Sequence, residues 1–98
     1  MASVKELKKD IDALMTLVLT DCFSVLEYNS KVNSEAVLAI AGDVINTHRE
    51  LRMRVKHPDG KDNSKIVRNY YNQLISDALK EADAALERLS AEIKKAVA

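Results

Sequence analysis

Two histidines, one cysteine and fifteen carboxylates are the side chains of this 98-residue chain best suited to bind a metal, move a proton or act as a nucleophile. Their spacing is the first test of chemistry. A di-iron site in a helical bundle uses Glu-x-x-His on two helices. The residues three before His48 and His57 are Ile45 and Arg54, and no His-Glu-x-x-His run occurs. Gly42 and Gly60 are too far apart for a phosphate-cradling loop, and there is no Gly-x-Ser-x-Gly elbow. Cys22 stands alone, which excludes an intramolecular disulfide and leaves a cysteine-based zinc site without its other ligands. No Lys, Arg or His occupies the turns beside it to lower its pKa, so a buried, structural thiol is expected. The pattern predicts no catalytic residue, no metal ligand and no cofactor, hence a non-enzymatic protein.

Two features remain that bear on function. His48 falls inside an apolar stripe, four residues after Val44 and three before Leu51, so its imidazole needs a polar partner. Asp10, Asp12 and Tyr71 are the candidates by topology; a pH-sensitive contact is the functional alternative to a satisfied polar core residue. The second feature is charge. Between Arg49 and Arg68 seven basic residues stand against Glu50, Asp59 and Asp62. Arg and Lys at the end of a helix complement its dipole, which accounts for part of this cluster. Arg52, Arg54, Lys65 and Arg68 are the candidates for binding an anion or nucleic acid, with Tyr70 and Tyr71 nearby to stack on a base or fill the core. The net charge of zero argues against recognition of nucleic acid or an anionic membrane by overall charge. A helix-turn-helix would also need a shorter turn and a shorter second helix than this chain offers.

The elements that must position these residues are all helices. Apolar residues at 47%, charged residues at 31%, one proline and two glycines describe a helix-rich globule, and 98 residues suffice for one small domain, 1–98. The first helix is expected over about 3–28, opened by a Ser3/Glu6 capping box, with Val4, Leu7, Ile11, Leu14, Met15, Val18, Leu19, Cys22, Val25 and Leu26 on one broad arc and Leu17 and Phe23 at its flanks. Polar residues around Asn29 to Asn33 break it. The second helix follows over about 34–57, capped by Asn33 or Ser34 and stapled by Val32 and Val37, with Val37, Ile40, Ala41, Val44, Ile45, His48, Leu51 and Val55 facing inward. Gly42 falls on its outer side. His57-Pro58-Asp59-Gly60 then signals a turn.

The third helix, about 64–97, has Asn63 or Ser64 as its cap and is the longest, at roughly 50 Å. Val67, Tyr71, Leu74 and Ala78 open one seam, and Ile75, Leu79, Ala82, Leu86, Leu89, Ile93 and Ala96 form another that takes over at Glu81. Asp77 with Lys80, Arg88 with Glu92 and Glu92 with Lys95 are expected as pairs along its solvent face. Short connections favour antiparallel neighbours, so the fold class is all-α, an up-down-up three-helix bundle. In that arrangement the last turns of the third helix should outrun the other two. Leu86, Leu89 and Ile93 would then be left for self-association, making a second copy or another helical protein the expected partner and nucleic acid the alternative. Early charges in Met1–Lys9 do not suit a signal peptide, and no segment reaches the roughly 20 apolar residues of a membrane span, so a cytoplasmic location without membrane contact is expected.

The opening Met-Ala-Ser-Val-Lys-Glu-Leu-Lys-Lys-Asp-Ile-Asp and the later Ile66-Val67-Arg68-Asn69-Tyr70-Tyr71 resemble a small family of uncharacterised all-helical proteins from Bacteroidetes bacteria. That resemblance implies a bacterial cytoplasmic helical protein and brings no catalytic residues with it.

Overall fold

The computed structural model describes residues 4–56 and 63–97, which form three helices: α1 (Val4–Tyr28), α2 (Ser34–Lys56) and α3 (Ser64–Val97). Each packs against both others as an up-down-up bundle, with no strand among the described residues. At 1.5 Å per residue a helix of this length reaches about 51 Å, close to the 53 Å long dimension of the molecule, so α3 runs from one end to the other.

Local chemistry sets the described helix ends. Asn33 caps α2, its Oδ1 accepting from the Ala36 N–H at 3.2 Å while Val37 N–H bonds to the Asn33 carbonyl at 3.1 Å. Val32 and Val37, on either side of this cap, are both buried in the common core, as a hydrophobic staple requires. Asn29 shapes the preceding reversal, accepting from the Lys31 N–H at 3.2 Å. At α3 the choice between two caps resolves in favour of Asn63, whose Oδ1 accepts from both Lys65 and Ile66 N–H groups at 3.0 and 3.2 Å. The expected Ser3 cap, and the turn through His57, Pro58, Asp59 and Gly60, lie outside the described residues.

The core is wholly apolar. Leu7, Ile11, Met15, Val18 and Cys22 of α1 meet Val37, Ile40, Ala41, Val44, Leu51 and Val55 of α2, and Leu74, Ala78, Ala82, Ala85 and Leu89 of α3. No buried side-chain nitrogen or oxygen among the described residues lacks a hydrogen-bond partner. Four expected core positions are instead exposed: Val4, at the start of α1, Ile45 on α2 and, on α3, the pair Ile75 and Leu79. For Ile75 and Leu79 the reason lies in the packing of α3. Its deep seam is Leu74 followed by three alanines, and alanine lets helix axes approach closely. The larger residues beside that seam are thereby turned outward.

The register of α3 also differs from expectation. Arg54 bonds to Asp77 and Asp43 to Arg88, so α2 and α3 run antiparallel with Asp43 level with Arg88. Ser34 lies nine residues before Asp43 and Val97 nine after Arg88, which brings the start of α2 level with the end of α3. Leu7 of α1 lines one cleft with Ile75 of α3. The surplus of α3 is therefore at its N-terminal end, where Ser64 to Gln73 contribute no buried residue, and not at its C-terminal end. Leu89, expected to project, is 4% exposed inside the bundle's own core, and Leu86 and Ile93 pack against that core half-buried.

Candidate functional site at the junction of the first and third helices

His48 finds its partner across the α1/α2 seam. Its Nε2 lies 2.5 Å from Asp12 Oδ1. A carboxylate only accepts, so Nε2 carries the proton. Arg52 Nε reaches the same oxygen at 3.7 Å. The cluster is half-exposed and structural in form: a carboxylate on one helix holding two residues one turn apart on the next. His48 lines neither of the two clefts of about 210 Å³. Among the described residues, no three His, Cys, Asp or Glu side chains come together as a metal site.

The four cations singled out for anion binding do not form one surface. Arg52 turns to α1. Arg54 turns to α3, where its guanidinium donates to Asp77 Oδ2 at 2.9 Å and lies 5.9 Å from the Tyr70 ring centroid. Burial disfavours the Arg54 charge, but the hydrogen bonds with Asp77 and Tyr70 outweigh it and raise its pKa. Asp77 responds in kind: hydrogen bonds from Gln73 and then Arg54 hold its carboxyl below the usual range. Lys65 and Arg68 are exposed in the first turns of α3 without an ion pair among the described residues. Tyr71 donates to the Val55 carbonyl at 3.3 Å and packs edge-on against Tyr70, with ring centroids 5.8 Å apart. Cys22 is buried, which pushes its thiol pKa up, and neighbouring Asp21 adds to that rise while Arg88 opposes it. Its chemistry is that of an inert core residue.

Side-chain polar contacts across the seams are unevenly distributed. Asp12 clips α1 to α2, and the Arg54–Asp77 and Asp43–Arg88 pairs clip α2 to α3. The expected pairs of Asp77 with Lys80 and Arg88 with Glu92 give way to these contacts between helices; Glu92 and Lys95 do pair, at 3.2 Å. Among the described residues, no ion pair or side-chain hydrogen bond joins α1 to α3. There the structure opens a cleft of about 210 Å³ lined by Leu7, Ile11, Leu14, Ile75, Ala78 and Leu79, with Asp10 at its edge. Ile75 is 40% exposed and Leu79 51%. On α1, Asp10, Leu14, Leu17 and Asp21 follow at steps of four, three and four, so the face that holds the cleft continues beyond it to Leu17, which is 55% exposed.

Comparison of the chain with protein-family models, with curated proteins and with solved structures finds no match. The Bacteroidetes resemblance is not touched by that result.

Sequence reasoning assigned Ile75 and Leu79 to the core and Leu17 to a flank, and so missed this face. One signal for it was present: the seam of Ala78, Ala82 and Ala85 runs beside Ile75, Leu79 and Leu86. When small and large residues share an apolar arc, the small ones mark where backbones approach and the large ones border the contact.

Proposed function

We propose that the protein is a non-enzymatic interaction module that receives an added helix along the cleft between α1 and α3. The observation that carries this reading is the exposure of Ile75 and Leu79 around an apolar cleft, with Leu17 exposed on the same face of α1, on the one seam that no described side-chain polar contact closes. An amphipathic helix laid there would complete a four-helix arrangement, the usual way a groove between two helices is covered. The added helix belongs to another protein or to a second copy of the chain. Self-association would use Ile75 and Leu79, since Leu89 is committed to the protomer core and Leu86 and Ile93 pack against it.

The nucleic-acid alternative is disfavoured because Arg52 and Arg54 are drawn to opposite flanks of α2 by Asp12 and Asp77. No helix among the described residues is long and apolar enough to cross a membrane. A cytoplasmic location is part of the proposal, supported by the lone, buried Cys22. The test is an NMR titration of the whole protein with amphipathic helical peptides whose flanks are basic, neutral or acidic. Shifts concentrated at Leu14, Leu17, Ile75 and Leu79 with any of them are expected; shifts elsewhere, or with none, would overturn the reading.

A further inference from the structure

The described residues include six aspartates, and they divide cleanly. Asp12, Asp43 and Asp77 each pair with a basic side chain on a neighbouring helix. Asp10, Asp21 and Asp83 make no ion pair among the described residues. All three fall on the same face. Asp10 and Asp21 bracket Leu14 and Leu17 along α1, and Asp83 follows Ile75 and Leu79 at steps of four along α3. The stripe Asp10, Leu14, Leu17, Asp21 carries no cation, and the α3 stripe carries cations only toward its two ends, Arg68, seven residues before Ile75, and Lys94, eleven after Asp83. The cleft therefore has an apolar floor with Asp10 at its edge, and helical spacing sets Asp21 and Asp83 on the same face beyond it, all three without an ion pair among the described residues.

We infer that the helix received there is a basic amphipathic one from another protein, with lysine or arginine on either side of its apolar stripe. This rests on the reading that the cleft docks a helix and adds the chemistry of the occupant. A second copy of the chain fits less well. A two-fold axis through the cleft brings an acidic rim against its own image, and like charges facing one another oppose association. An anionic lipid surface is repelled by the same rim. A basic helix satisfies both parts of the face: its apolar residues cover Leu14, Leu17, Ile75 and Leu79, and its cations meet Asp10, Asp21 and Asp83. Rim charges of this kind act mainly on association rate and on the choice of partner, and salt weakens them.

The experiment uses three synthetic helical peptides with one shared leucine stripe and flanks of Lys, Gln or Glu, titrated into the whole protein by fluorescence anisotropy. The Lys-flanked peptide is expected to bind at least tenfold more tightly than the Gln-flanked one, the Glu-flanked one more weakly still, and the Lys advantage to shrink in high salt. Leu79→Glu, at an exposed position, should remove binding without changing the circular dichroism spectrum or Tm. The double variant Asp10→Lys, Asp83→Lys should invert the order so that the Glu-flanked peptide binds best. Equal affinity for Lys- and Gln-flanked peptides would overturn the basic partner while leaving the docking reading intact. Absence of binding by all three would overturn both. A stable dimer in sedimentation that Leu79→Glu dissociates would assign the cleft to a second copy and overturn the inference.

Discussion

Leu89 is the residue whose role changes most between sequence and structure. It belongs to the apolar seam that was expected to outrun its neighbours, yet it is buried within the protomer. Leu89→Lys should accordingly lower the stability of the monomer by several kcal/mol, because it places a charge where no partner exists. Chemical denaturation with a concentration series checks this: the loss should be independent of protein concentration. Gly42 gives the opposite expectation. It lies mid-helix on the exposed side of α2, and a Cβ built there meets nothing within 4 Å. Gly42→Ala should raise stability by about 0.5–1 kcal/mol, visible as a shift of the denaturation midpoint at unchanged slope. A loss would contradict the open space at Gly42. Asp77 provides a pH signature. Its carboxyl pKa is lowered on folding by Gln73 and Arg54, so its contribution is complete above the ordinary carboxylate range and lost as pH falls through the depressed value. Asp77→Asn should flatten that part of the acid limb of a stability-against-pH curve.

At the scale of the helices, what was legible in the sequence was what is decided locally. Asn33 and Asn63 stand next to the first residues of their helices, and an asparagine oxygen reaches only the N–H groups two or three residues ahead. The choice between seams on α3 was not legible, because it depends on which partner the helix faces and how closely. Likewise, Asp77 and Arg88 each had a plausible partner along their own helix, but a partner on α2 offered a hydrogen bond of 2.9 or 2.8 Å. The caps yield a direct prediction. Asn33→Ala and Asn63→Ala should each cost about 1 kcal/mol by equilibrium denaturation, and Asn→Gly at either position much less, since glycine tolerates the cap backbone.

For the whole molecule, the arrangement is of one helix clipped to both neighbours and two helices joined, among the described residues, by apolar contact without an ion pair or side-chain hydrogen bond. Core side chains such as Leu74, fully buried between the three, hold the assembly; Leu74→Ala should cost about 2–5 kcal/mol, read from the same denaturation curves as a shift in midpoint. The polar clips are exposed and add little, roughly 0.2–1 kcal/mol each by the measure of surface pairs. Their effect is on geometry. Asp43 and Arg54 are eleven residues apart on α2, and Asp77 and Arg88 are eleven apart on α3, each helix reading Asp before Arg. Laid antiparallel, the two helices match opposite charges at both places. Laid parallel, they would set Asp against Asp and Arg against Arg.

The same clips distinguish a bundle from its reflection. Three helices joined by short loops can close with the third to the left or to the right of the first pair. Here Asp12 looks toward His48 and Arg52 from one side of α1, while Leu14 and Leu17 border the other side, where α3 lies. On α2, Asp43 and Arg54 look away from that contact toward Arg88 and Asp77. In the reflected molecule each of these side chains would face the wrong neighbour or water. At a few tenths of a kcal/mol per pair the clips are too weak to fold a chain, but each favours this handedness, and with it the side on which the cleft is displayed.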